Sequence, residues 1–174
     1  MVLKTDMSVH NDLTRMLEER SQKAIPFDFS LEEDKAVYLE IILHAADIGN
    51  SVRPFVQSEV LATRLALEFN LQAEKEQALG LPVSVPLQPT IMEVCKGEQG
   101  FLKYVAKPFW SALHACFPTL EPQLLELENN VISWQRLAES VEGGPFASEP
   151  IADRIQRLSQ TSELVPALLT NRSS

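Results

Sequence analysis

The segment His44-Ala45-Ala46-Asp47-Ile48-Gly49-Asn50 holds the residue types and spacing most able to do chemistry. Asp47 ends a strongly apolar helical stretch, where a carboxylate is costly to bury unless a cation or a hydrogen-bond network compensates it. Asn50, one turn later, could orient a ligand beside it. An exposed Asp and Asn at a helix C-terminus would show the same pattern, so the local sequence leaves both readings open. Elsewhere the inventory is thin. The 3 histidines, His10, His44 and His114, contain no pair at the HExxH spacing, and no GxSxG elbow, P-loop or dinucleotide fingerprint is present. A lone histidine on a helix is more often a hydrogen-bonded structural residue than a catalyst. The 2 cysteines, Cys95 and Cys116, are too few for a disulfide framework or a cysteine zinc site. They read as reduced and structural, and Trp110 and Trp134, at helical apolar positions, read as core.

The elements that must position these residues are helices, and no convincing alternating strand is found. Asp6 or Ser8 can cap a first helix carrying Leu13, Met16 and Leu17. Pro26, Phe27 and Phe29 break it. Ser30 with Glu33 has the capping-box spacing and predicts a helix with Val37, Ile41, Ile42, Ala45 and Ile48 on its apolar positions, closed by Gly49 and Asn50. Pro54 suits the first turn of a helix to about Leu79, stopped by Gly80. Thr90 with Glu93 predicts a short helix to about Lys96, and a second helix runs from Glu98 to Cys116 with a kink at Pro108. Thr119 caps a last long helix through Leu127 and Trp134 to Leu137, ended by Gly143. Beyond Pro150, Ile151, Ile155 and Leu158 keep helical spacing, and the final residues read as frayed.

The chain has 174 residues, 45% apolar, which suits one all-α domain or part of one. Its 15 Lys and Arg against 24 Asp and Glu give a formal charge of -9. That balance argues against gripping nucleic acid or an anionic membrane over a broad surface. An anionic ligand would need a local device such as a metal, a helix N-terminus or a cationic pocket. No apolar run reaches the ~20 residues of a membrane span. Met1-Val2-Leu3-Lys4-Thr5-Asp6 lacks the basic and apolar regions of a signal peptide. The expectation is a soluble, cytoplasmic protein.

Motifs in order along the chain resemble the C-terminal half of the catalytic domain of the class I cyclic nucleotide phosphodiesterases. Thr5-Asp6-Met7-Ser8-Val9-His10 is similar to that family's TDMSxH segment, and His44 to Asn50 to its H-x-A-D-[IL]-S-N segment. Glu68-Phe69 with Gln72-Ala73-Glu74-Lys75-Glu76 resembles the EEFFxQGDxEkE helix, and Gly80-Leu81-Pro82-Val83-Ser84 the GLPVSP turn. Gly100-Phe101-Leu102-Lys103-Tyr104-Val105 with Pro108 and Trp110 resembles the GFIxYxxxPLW helix. The resemblance implies a compact all-α fold that hydrolyses cAMP or cGMP to 5'-nucleotides by two-metal activation of a water. The cofactors it implies are divalent metal ions, zinc with magnesium or manganese, which would supply the positive charge an acidic protein lacks. It also implies roles by position. Asp47 is a metal ligand, Asn50 and Ile48 line the nucleotide, and Phe101 stacks on the purine with an apolar residue such as Leu65 opposite.

Departures from the family pattern shape the rest of the expectation. The family's other metal ligands and its proton-donating His lie N-terminal to the TDMSxH segment, so no catalytic residue is assigned here. One carboxylate does not make a two-metal site. The chain alone is expected not to hydrolyse cyclic nucleotides, and a missing N-terminal half is its expected partner. Glu98 stands where the family has a base-reading Gln. An ionised Glu only accepts hydrogen bonds, whereas an amide donates and accepts. Glu98 either meets the purine edge, one turn from Phe101, or is a helix N-terminal acid facing solvent. A degenerate, non-catalytic member that binds a nucleotide or a protein is the alternative. Residues 1–142 are expected to form the partial catalytic domain and 143–174 a helical tail, partly flexible. The helices from Ser30, Pro54 and Glu98 are expected to form one pocket wall.

Overall fold

The computed structural model describes residues 5–144, 146 and 148–159. They form six α-helices: α1 (His10–Ser21), α2 (Glu32–Asp47), α3 (Phe55–Ala78), α4 (Ile91–Phe101), α5 (Lys107–Cys116) and α6 (Glu121–Val141). Short 3₁₀ turns occupy Met7–Val9, Gly49–Val52 and Pro118–Leu120, and residues 151–159 are again helical. Among the described residues there is no strand, only one isolated antiparallel bridge between Thr90 and Pro150. The all-α expectation is met. The residues read as frayed at the extreme C-terminus, within the tail, lie outside the described residues.

Several boundaries follow from the local chemistry that predicts them. The Asp6 carboxylate accepts from the Ser8 N–H at 2.8 Å, which opens the turn before α1. Thr90 and Glu93 form one half of the capping box: the Thr90 N–H and hydroxyl both donate to Glu93 Oε2 at 3.0 and 2.8 Å, while the Glu93 N–H donates to the Thr90 carbonyl at 3.1 Å. Gly80, at φ +69°, and Gly143, at φ +67°, end α3 and α6 in the left-handed region that favours glycine.

Other boundaries differ from the sequence reading. Ser30 does not cap α2. Its N–H and hydroxyl both donate to the Asp28 carboxylate, so this local turn outcompetes the cap and the helix begins at Glu32. No break falls between Lys96 and Glu98, because α4 runs unbroken from Ile91 through Gly97 to Phe101. The interruption comes at Leu102–Ala106, a π-helical turn immediately before α5. Pro108 lies in the first turn of α5, where a missing N–H is tolerated, and the irregularity expected at the proline falls instead on the wider turn upstream.

The chain divides into two compact units. The first comprises described residues up to 58 with 99–133, and its core includes Leu13, Leu17, Ile41, Ala45, Leu102, Phe109 and Leu113, all buried. Here α1 packs against α5. Between α1 and α2, Phe27 stacks on Phe117 at 5.2 Å, Tyr38 meets both edge-on, and the Arg20 guanidinium covers Phe27 at 4.5 Å while pairing with Asp34. The second comprises residues 59–98 with the described residues from 134 onward, around buried Ile91, Val94, Cys95, Trp134 and Val141. In it Arg154 of the 151–159 helix pairs with the buried carboxylate of Glu59.

Candidate functional site

In the first unit the structure brings three of the expected residues onto one short stretch. Asp47 is the last residue of α2, with its side chain exposed. Ile48 closes the helix, its N–H donating to His44 O at 3.2 Å, and its side chain is buried. Gly49–Val52 is a 3₁₀ turn on which Asn50 is half-buried. Gly49 lacks a positive φ, so α2 ends by tightening into this turn and not by a left-handed glycine. Asp47 is exposed and Asn50 half-buried on a turn that is tied down from within the unit. Trp110 Nε1 donates to Ser51 Oγ at 3.1 Å, and that hydroxyl donates to Ile48 O at 2.8 Å. Asn130 of α6 donates to the carbonyls of Ser51 and Arg53.

Below this stretch lies a histidine pair that the sequence reading treats as two separate structural residues. His10 Nδ1 and His44 Nε2 are 2.9 Å apart, and both rings pack on Phe109. His10 Nε2 lies 3.3 Å from Val105 O. A carbonyl only accepts, so His10 Nε2 carries the proton, His10 Nδ1 accepts, and His44 Nε2 donates. Burial, with His44 beside it, holds the His10 pKa below its ordinary value. A buried, tautomer-locked pair is a structural element.

The remaining expected residues lie on α3, α4 and its end. Leu65 on α3 is 39% exposed. Glu98 and Phe101 share α4, three residues apart, with Phe101 at its last position. Glu98 sits well past the first turn, so the reading of a helix N-terminal acid does not hold. Its Oε2 is out of solvent and has no hydrogen-bond partner, and burial pushes the carboxyl up to about 7. Burial likewise pushes the neighbouring Cys95 thiol up to about 12, so it is not a thiolate nucleophile at neutral pH.

The donor set tests the expected ions directly. Among the described residues no group of three or more His, Cys, Asp or Glu is placed to hold a metal. Asp47 therefore has no companions here that complete a coordination sphere, and these residues do not fit a two-ion centre by themselves.

The sequence profile of the 3'5'-cyclic nucleotide phosphodiesterases matches residues 1–127, and the chain belongs to that family. It is 29% identical over 126 residues to the high affinity cGMP-specific 3',5'-cyclic phosphodiesterase 9A of Homo sapiens, covering 72% of this chain and 21% of that protein. It is 33% identical over 114 residues to the human dual specificity calcium/calmodulin-dependent 3',5'-cyclic nucleotide phosphodiesterase 1B, covering 65% of this chain and 20% of that one. The chain thus spans about a fifth of the length of these relatives. In structure it matches the phosphodiesterase domain of the RhoPDE fusion protein from the choanoflagellate Salpingoeca rosetta. That match has a TM-score of 0.76 at 30% identity, over 82% of this chain and 46% of the other.

The sequence reading missed Asn130. It lies outside the quoted motifs, and the only available signal is an Asn on a position that helical spacing would bury.

Proposed function

We propose that this chain is the C-terminal half of a 3',5'-cyclic nucleotide phosphodiesterase catalytic domain and serves the hydrolysis of cAMP or cGMP to the 5'-nucleotide. The observation that carries the reading is the family match over residues 1–127, with Asp47 exposed at the end of α2. Coverage of 46% of the Salpingoeca rosetta phosphodiesterase-domain chain supports the placement as a half. In this reading Asp47 is a ligand to divalent ions, zinc with magnesium or manganese, whose other ligands come from outside this chain. Ile48, Asn50, Leu65, Glu98 and Phe101 carry the nucleotide-binding roles, and an N-terminal half of the domain completes the site. The setting is cytoplasmic.

Glu98 gains a defined part. A buried carboxyl that titrates near neutrality is partly protonated, and the protonated form donates as well as accepts, as an amide would. Base recognition through Glu98 weakens as pH rises through the range where it ionises.

Assay of cAMP and cGMP turnover in magnesium or manganese tests the function. The purified 174-residue chain shows none, and a fusion to an N-terminal half supplying the remaining ligands turns over in a manner abolished by Asp47→Ala. Metal-dependent turnover by the chain alone, or an inert fusion, overturns the proposal.

A further inference from the structure

Two backbone bonds at the edges of the 3₁₀ turn after α2 are long. The Ser51 N–H reaches Ile48 O at 3.4 Å and the Arg53 N–H reaches Asn50 O at 3.3 Å, both long for amide hydrogen bonds. Better bonds come from elsewhere. Asn130 Nδ2 donates to Ser51 O at 2.9 Å and to Arg53 O at 2.8 Å. Asn130 is fully buried, and its Oδ1 has no hydrogen-bond partner. Burying an amide with half its capacity unused is costly, so the donor half must be what the fold retains it for. Both acceptors flank the same turn, and Trp110 secures the Ser51 hydroxyl from α5.

We infer that Asn130 is a positioning residue, whose side-chain amide clamps the Ser51–Arg53 backbone and so fixes where Asp47 and Asn50 stand. The inference rests on the proposed nucleotide-binding role of that turn. It assigns to α6 a part in the site through the backbone of the turn. Asp47 is also carried by α2 and by buried Ile48, so the clamp acts most directly on the Asn50 side of the turn.

Hydrogen exchange in the full chain tests it. In the wild type, both Asn130 side-chain amide protons exchange as slowly as buried backbone amides, a measurement that needs no variant. Exchange at solvent rates overturns the inference. Asn130→Asp keeps the shape but turns a carboxylate towards two carbonyl oxygens. At neutral pH the Ser51 and Arg53 amides then exchange about tenfold or more faster than in the wild type, while those of α5 change little. On acidification the Asp protonates, regains one donor, and part of the protection returns. A purely space-filling residue predicts instead a uniform loss across the unit, independent of pH. Titration with cGMP and cAMP is the companion readout, in which Asn130→Asp weakens binding about tenfold. If the wild-type chain binds neither nucleotide, the nucleotide reading of the turn falls, and the exchange data alone decide whether Asn130 holds it.

Discussion

Glu98→Gln separates the charge of this half-buried side chain, whose Oε2 is out of solvent, from its shape. The carboxyl titrates at about 7 in the folded chain against an ordinary 4.5, a gap worth about 3 kcal/mol. Because the folded value is the higher one, the folded state binds the extra proton. The contribution is fully present below 4.5 and is lost as pH rises through about 7. Gln is neutral at every pH, so the variant lacks this loss. Urea unfolding followed by circular dichroism at about pH 5 and about pH 8 reads the difference directly, with the stability advantage of Glu98→Gln larger at the higher pH by about 2–3 kcal/mol. Taking the difference between the two pH values cancels whatever the buried amide itself contributes. An advantage that stays within about 0.5 kcal/mol between those conditions would refute the argument, since it would mean that Glu98 reaches solvent when ionised.

His10 titrates with the opposite sign. His10 is held below its ordinary value, so its contribution is present above about 6.5 and is lost as pH falls below it, by up to about 1.4 kcal/mol per pH unit. Measured in the Glu98→Gln background, His10→Phe abolishes that acid slope, and parallel slopes would contradict the assignment. Arg154→Met strands the carboxylate of Glu59, which is only 6% exposed, and destabilises the chain by about 3 kcal/mol or more. Lys107→Ala, which removes a partly exposed pair with Glu128 at 3.3 Å, changes stability by less than about 1 kcal/mol. Similar losses from the two substitutions would defeat this distinction.

The elements legible in the sequence are those fixed by contacts within a few residues. Thr90 with Glu93, Gly80 and Gly143 act on their immediate neighbours, and their outcomes follow from local chemistry. Ser30 was a fair cap candidate that lost to Asp28 two residues away, a competition between local bonds of similar strength. The π turn at Leu102–Ala106 has no signal of its own. Pro108 announces a disturbance, and the packing of Leu102, Ala106 and Phe109, all fully buried, decides where it is absorbed. At the candidate site, the motif gave the positions of Asp47, Ile48 and Asn50 on one turn, whereas α2 ends by tightening into a 3₁₀ turn and not through the Gly49 and Asn50 cap. Long-range partners were not legible. His10 meets His44 across 34 residues, and Asn130 meets Ser51 across 79, distances over which helical periodicity says nothing.

The bond from Trp110 to Ser51 gives the molecule an optical handle on the turn that follows Asp47. Its indole N–H ends on the hydroxyl of that turn, and the other tryptophan, Trp134, belongs to the second unit. A Trp134→Phe chain would fluoresce from Trp110 alone. Indole emission shifts with the polarity and hydrogen bonding around the ring, so loosening of Ser51 would be read as a change in emission colour. Occupancy of the site could then be followed in real time, without a label and without turnover.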